Sequence, residues 1–234
     1  MTQRMIEITS PIFFPLPRDP EEGTDLSALF PQPRPLALEI GCGIGDFIVQ
    51  LARLRPELNF LAIDIYNKGC HKTCKKIELA GLNNVRVLRA EARYLLTHYL
   101  PPESLAAIYI NCPDPWPKKR HRDRRLVRRE FLQTALYYLR PGGDFYFSTD
   151  FQDYAEDVAA LLPEMTGYVN VLDQPLVTEL PGYPLSKYMR RFLQQGQPIH
   201  FIHYRRNPQL PPESVAPPTV DPGFRLHWRR AEHV

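Results

Sequence analysis

Apolar and polar positions follow two rhythms along this chain. Short apolar runs have the length and the β-branched or aromatic content of buried strands: LALEI (Leu36–Ile40), NFLAIDI (Asn59–Ile65), VRVLRA (Val85–Ala90), LAAIYIN (Leu105–Asn111) and DFYFSTD (Asp144–Asp150). Between them, apolar residues recur at helical spacing. Asp46–Arg55 places Phe47, Val49, Leu51 and Leu54 largely on one side, and Lys68–Ala80 is basic on one face. Ala92–Tyr99, Arg129–Leu139 and Tyr154–Leu162 are further helices, Pro141-Gly142-Gly143 a turn, and Val169–Leu172 and His200–Arg206 late strands. Strands alternating with helices imply an α/β fold with a doubly wound, mostly parallel sheet. That pattern occupies residues 36–206. Residues 1–35 are proline-rich and read as an N-terminal arm; 207–234 read as a proline-rich, basic C-terminal tail.

Composition narrows this picture. The 234 residues suit one domain with a sizeable core, and 44% hydrophobic with 24% charged residues is ordinary for a soluble globular chain. No apolar run approaches the ~18 residues of a membrane span. The N-terminus lacks a basic region followed by an apolar one, so no signal peptide is expected. Cys42, Cys70, Cys74 and Cys112 form no Cys-x-x-Cys pair. No metal site is expected, and reduced thiols point to the cytoplasm. The net charge of +3 is unevenly spread: residues 118–129 carry eight Lys/Arg against one Asp, a local +7, leaving −4 for the rest.

LEIGCGIGDF (Leu38–Phe47) runs strand, glycine turn, helix, with Gly41, Gly43 and Gly45 spaced G-x-G-x-G. A dinucleotide fingerprint needs G-x-G-x-x-G, and here position 46 is Asp, which would compete with a pyrophosphate at the helix N-terminus. S-adenosylmethionine carries no phosphate and tolerates that acid. Glu39 is then a candidate for its amino group, Asp64 for its ribose hydroxyls and Glu91 for its adenine edge, each near a strand's carboxyl end. Taken singly, each acid also reads as a helix cap or a solvated turn.

After the fourth strand comes INCPDPWPKKRHRDRRLVRREF (Ile110–Phe131), stiffened by Pro113, Pro115 and Pro117. A guanine N7 is nucleophilic without losing a proton. Its methylation needs alignment and compensation for the positive charge that develops. Asp114 and Asp150 are candidates for accepting the guanine N1–H and N2–H bonds. Trp116 reads equally as a base-stacking surface or as a packed cap on the loop. Lys118, Lys119, Arg120, Arg122, Arg124 and Arg125 read as phosphate contacts; incidental surface charge is the alternative.

With PDPWPKKRH (Pro113–His121), the GCGIG loop and STDFQDYAE (Ser148–Glu156), the sequence resembles the bacterial tRNA (guanine-N7-)-methyltransferases over about residues 36–206. The resemblance implies a Rossmann-like class I methyltransferase fold, S-adenosylmethionine as cofactor, and a guanine in the tRNA variable loop as target. It puts the cofactor on Glu39, Asp64, Glu91 and Asp114, catalysis on Asp114, and RNA contacts on Lys118 and Asp150. Gly41 and Gly43 join the cofactor site. Family members usually carry Thr-Lys-Phe-Glu before the last strands, with the Glu on the target guanine. SKYMRRF (Ser186–Phe192) stands here, so Ser186, Lys187 and Tyr188 are expected at the substrate, while Met189 replaces the Glu. Alternatives are a methyltransferase of another RNA or base, and a non-catalytic RNA-binding relative. A monomer or homodimer is expected.

Overall fold

The computed structural model describes residues 6–17, 25–219 and 222–223. Seven strands form one sheet: β1 (Leu36–Ile40), β2 (Asn59–Asp64), β3 (Val85–Arg89), β4 (Leu105–Asn111), β5 (Leu139–Thr149), β6 (Tyr168–Asn170) and β7 (His200–Arg206). Their order is β3-β2-β1-β4-β5-β7-β6; β1 to β5 are parallel, and β7 runs antiparallel to both of its neighbours. The chain winds outward from β1 in one direction, then returns to start β4 on its other side. That reversal leaves a crevice beyond the carboxyl ends of β1 and β4.

Helices α1 (Asp46–Leu54) and α2 (Asn67–Leu79) cover one face of the sheet. Helices α3 (Ala92–Tyr99), α4 (Arg129–Tyr138) and α5 (Gln152–Leu161) cover the other. In β1, Leu36, Leu38 and Ile40 enter the α3–α5 core while Ala37 enters the α1–α2 core. Burial on both faces explains why the strand is apolar at every position but Glu39.

Three features depart from the sequence reading. The Pro141-Gly142-Gly143 turn is a bulge inside β5: Leu139 pairs with Leu105, yet Asp144 already pairs with Ala107. Gly142 supplies the positive φ of +73° that the bulge needs. A sixth helix, α6 (Lys187–Gln194), lies where no helix was expected. The expected arm is docked. Phe14 N–H donates to Val87 O and Val87 N–H to Ile12 O, each at 2.9 Å, along the outer edge of β3. Leu26 and Phe30 are buried in the core. In the expected tail, Val215 is also buried; residues 220–221 and 224–234 lie outside the described residues.

Candidate active site

The crevice holds a cleft of about 650 Å³, walled by Gly41, Asp64, Glu91, Asn111, Asp114 and Trp116 among others. Its floor follows from the turn after β1. Gly41 and Cys42 both donate their N–H to Ile63 O, at 2.8 and 2.9 Å, folding the loop over the end of β2. Asp64 is then locked by two backbone donors, Gly43 N to Oδ2 and Tyr66 N to Oδ1, each at 2.8 Å. Burial raises its carboxyl above the usual value despite these bonds. Each oxygen keeps one lone pair for a ligand hydroxyl. Gly69 in α2 completes the arrangement. A Cβ there would stand 2.5 Å from the Gly43 carbonyl oxygen, so only glycine lets α2 lie this close to the loop. The sequence reading missed Gly69; its one signal is a glycine inside a helix, which costs stability unless a close approach requires it.

Glu39 lies inside β1 and is 2% exposed. Its Oε2 has no partner among the described residues. Burial, aided by the nearby Asp64 charge, pushes its carboxyl up to about 8. An orphaned acceptor in so dry a place suits a buried ammonium group, which is what the amino end of S-adenosylmethionine would supply. Glu91 caps α3, accepting Tyr94 N–H at 3.0 Å and pairing with Arg93 at 2.9 Å. The cap role weighed for it is therefore present, and the same carboxylate lines the cleft. Asn111 was not singled out in the sequence. Its Oδ1 accepts from Ser148 Oγ and Tyr183 Oη, both at 2.8 Å, while its buried Nδ2 has no partner among the described residues. A polar residue ending a buried strand between two acid-bearing ends was the available signal.

The loop after β4 is held in a strained form: Cys112 and Trp116 have φ of +45° and +44°. Asp114 is exposed on it and faces the cleft. Trp116 packs against His121 edge-on at 5.8 Å, with the Arg124 guanidinium 5.0 Å over its ring. Asp150 follows β5 beside Cys112, whose thiol is pushed up to about 12 by burial first and the Asp150 charge second.

The basic segment needs correcting. Arg125 does not reach solvent: its side chain is 2% exposed. Its Nε donates to Pro115 O at 2.8 Å, and its two Nη atoms bind Asp157 at 2.5 Å and Asp153 at 2.8 Å. Its guanidinium also lies 4.7 Å from the Tyr154 ring. Arg122 pairs with the same two acids. The two arginines hold Asp153 below the ordinary carboxylate range. Arg125 thus fastens the Pro113–Trp116 loop to α5 and is not a phosphate contact, while Arg122 braces the same acids with its side chain 36% exposed. Lys118, Lys119, Arg120 and Arg124 remain exposed, the last three within a 3-10 turn over Lys119–Arg124.

Ser186, Lys187 and Tyr188 are not among the walls of the cleft. Ser186 caps α6, accepting Met189 N–H at 3.2 Å, while its own N–H points at Met189 Sδ at 3.3 Å. Lys187 and Tyr188 are exposed at the start of that helix. Met189 is fully buried against Ile199 and Phe201. Its sulfur occupies the place of the acid in a capping box, so it belongs to the local fold and does not face the cleft.

Comparisons with known proteins bear on this geometry. A family model described as "Putative methyltransferase" matches residues 33–202. A tRNA (guanine-N(7)-)-methyltransferase of Syntrophotalea carbinolica is 60% identical over 228 residues, covering 97% of this chain and 98% of its own. One of Geobacter metallireducens is 55% identical over 205 residues, covering 87% and 97%. Among solved structures, an antibiotic-related methyltransferase superposes with a TM-score of 0.56 at 19% identity, covering 82% of this chain and 96% of that one. The 16S rRNA methyltransferase KamB gives 0.55 at 19% identity, covering 74% and 88%. The two structures share the fold.

Proposed function

Because the chain belongs to the tRNA (guanine-N(7)-)-methyltransferase family, we propose that it methylates N7 of a guanine in tRNA, in the variable loop, with S-adenosylmethionine as cofactor. The observation that carries the reading is one cleft in which a nucleoside floor, Gly41, Asp64 and Glu91, meets Asp114 and Trp116 on a loop leading into exposed cations. Asp46 opens the helix that follows the glycine loop, where it would compete with a phosphate. We assign the cofactor amino group to Glu39, its ribose to Asp64 and its adenine to the wall near Glu91. When bound, S-adenosylmethionine supplies an electrophilic methyl group. Its sulfur would keep the electrons of the bond given up as the guanine N7 lone pair takes the methyl group.

The protein's share is positional and electrostatic. Asp114 and Asp150 accept from N1–H and N2–H of the guanine, which fixes the ring and offsets the positive charge that N7 methylation creates. Arg125 acts through another residue, by holding the Pro115 backbone and hence Asp114 in place, and Arg122 braces the α5 acids that anchor Arg125. Lys118, Lys119, Arg120 and Arg124 take phosphates; Ser186, Lys187 and Tyr188 border the substrate from α6. A protein with tRNA as substrate and free cysteines works in the cytoplasm, as a monomer or homodimer.

Methyl transfer to an unmodified tRNA transcript tests this. Digestion and nucleoside mass spectrometry should give 7-methylguanosine, and cleavage at the modified base should map it to the variable loop. Asp150→Asn keeps the shape but turns one acceptor into a donor, so it should lower turnover far more than tRNA affinity. A different methylated nucleoside overturns the assignment, and full turnover in Asp150→Asn removes that residue from the guanine contact.

A further inference from the structure

We infer that tRNA is gripped by a second cationic surface, formed by α1, α2 and α6 on the sheet face opposite the basic loop. The inference rests on the tRNA reading above and says which further part of the molecule the polyanion covers. It starts from a deficit. Of the eight cations in residues 118–129, four are engaged within the protein: Arg122 and Arg125 with Asp153 and Asp157, Arg128 with Glu130, and Arg129 with Glu164. The segment that looked like a dense phosphate patch offers Lys118, Lys119, Arg120 and Arg124.

Helix α2 has what is missing. Lys68, Lys72, Lys75 and Lys76 fall at positions i, i+4, i+7 and i+8, one stripe down one side of the helix. No acid interrupts residues 68–76. Lys68, Lys72 and Lys75 are exposed, and none takes part in an ion pair among the described residues. The stripe opposes local stability. Lys68 stands in the first turn, where the helix dipole disfavours a cation, and that turn holds no acid. Lys68 with Lys72, and Lys72 with Lys76, repel at i, i+4. An external polyanion removes both penalties.

The stripe ends in a shallow depression of about 370 Å³ where Lys76 meets Arg53 of α1 and Arg190 of α6. Asp46 is the one acid on its wall among the described residues, and it pairs with Lys76 at 2.8 Å. Arg53 and Arg190 are exposed and form no ion pair among the described residues. At its other end the stripe starts three residues past Ile65, which lines the cleft. The basic loop starts at the opposite rim, past Trp116, and leads into α4 on the other sheet face. The two surfaces therefore flank the cleft, as phosphates on either side of an inserted nucleotide require.

The test is tRNA affinity across a potassium chloride series for Arg53→Gln/Lys72→Gln. The charge-matched control is Arg34→Gln/Arg140→Gln, at the amino ends of β1 and β5, away from the cleft. The first pair should flatten the plot of log affinity against log salt by about 1.4–1.8, or ~0.7–0.9 per lost phosphate contact. It should also raise KM for tRNA while kcat and cofactor affinity hold. The control pair should keep the parental slope. A parental slope in the first pair, an equal drop in the control, or a fall in cofactor affinity would each overturn the second surface. If the parent methylates tRNA while the first pair behaves as the parent, this surface alone is lost; if the parent makes no 7-methylguanosine in tRNA, the functional reading fails with it.

Discussion

Glu39 is where a single residue's ionisation would couple the proposed cofactor site to the fold. Its carboxyl, pushed up to about 8, is mostly protonated at pH 7 without ligand. An ammonium group seated against Oε2 would drive it to ionise. Calorimetry at pH 7 in two buffers of different ionisation enthalpy should therefore show close to one proton released on S-adenosylmethionine binding. Glu39→Gln should abolish that release and weaken binding by roughly 10- to 100-fold, the worth of a charged hydrogen bond of ~1.5–3 kcal/mol. No proton release in the parent would take Glu39 out of the cofactor site. The sign for stability follows: the folded carboxyl holds its proton more tightly than the unfolded one at 4.5. Its contribution is complete below 4.5 and is lost as pH climbs through about 8. The acids at strand ends were legible because a carboxylate closing an apolar run is conspicuous. The arginines were not. Arg122 and Arg125 look identical in sequence to Arg120 and Arg124, and only their acids, 28 to 35 residues further on in α5, separate them.

Among the elements, α2 was legible as a basic helix, but its reason for carrying Gly69 was not. The glycine matters through a loop 26 residues earlier, the Gly43 carbonyl, which no periodicity encodes. Gly69→Ala improves local helix propensity by ~1 kcal/mol. It also forces a Cβ to within 2.5 Å of backbone, so the glycine loop must move. Gly43 N–H would leave Asp64, and with it the fixed carboxylate orientation. The variant should stay folded by circular dichroism and lose roughly tenfold or more in cofactor affinity, about the worth of one charge-assisted hydrogen bond. Parental cofactor affinity would mean that the loop shifts without involving the ligand. Helix α6 escaped the sequence reading for a different reason. It is only eight residues long, and its apolar face of Met189 and Phe192 sits among cations. A Met at 189 in place of an expected Glu points in sequence to substrate chemistry, whereas its sulfur closes a helix cap. The Pro-Gly-Gly bulge was legible as a turn, but not as one inside a strand, because β5 resumes its pairing with β4 immediately beyond it.

At the scale of the whole molecule, the alternating pattern carried the sheet and its layers, while the two ends of the chain read as appendages because they lack periodicity. Residues 6–17 show what such a segment can do. Phe14 and Leu16 pack into the α3–α5 core, while Ile8, Ile12 and Phe13 pack into the α1–α2 core. The segment thus straddles the sheet margin, pins both layers, and satisfies the Val87 N–H and C=O that an edge strand would otherwise expose. Tyr99 Oη adds a bond to Pro17 O at 2.9 Å, tying the segment to the end of α3. Phe13→Ala/Phe14→Ala should therefore act beyond its own loop. Two half-buried rings are worth roughly 2–4 kcal/mol together, below the ~3–5 of each fully buried ring. In a protein of this size that lowers Tm by about 5–15 °C. Because the segment touches β3 and α3, the loss should fall on the layer that presents Glu91, so cofactor should recover less of the lost Tm than it adds to the parent. The freed β3 margin should also favour concentration-dependent association, visible by light scattering. A single melting transition at the parental temperature would show that this strap lies outside the cooperative fold, and that the sheet closes its β3 edge without it.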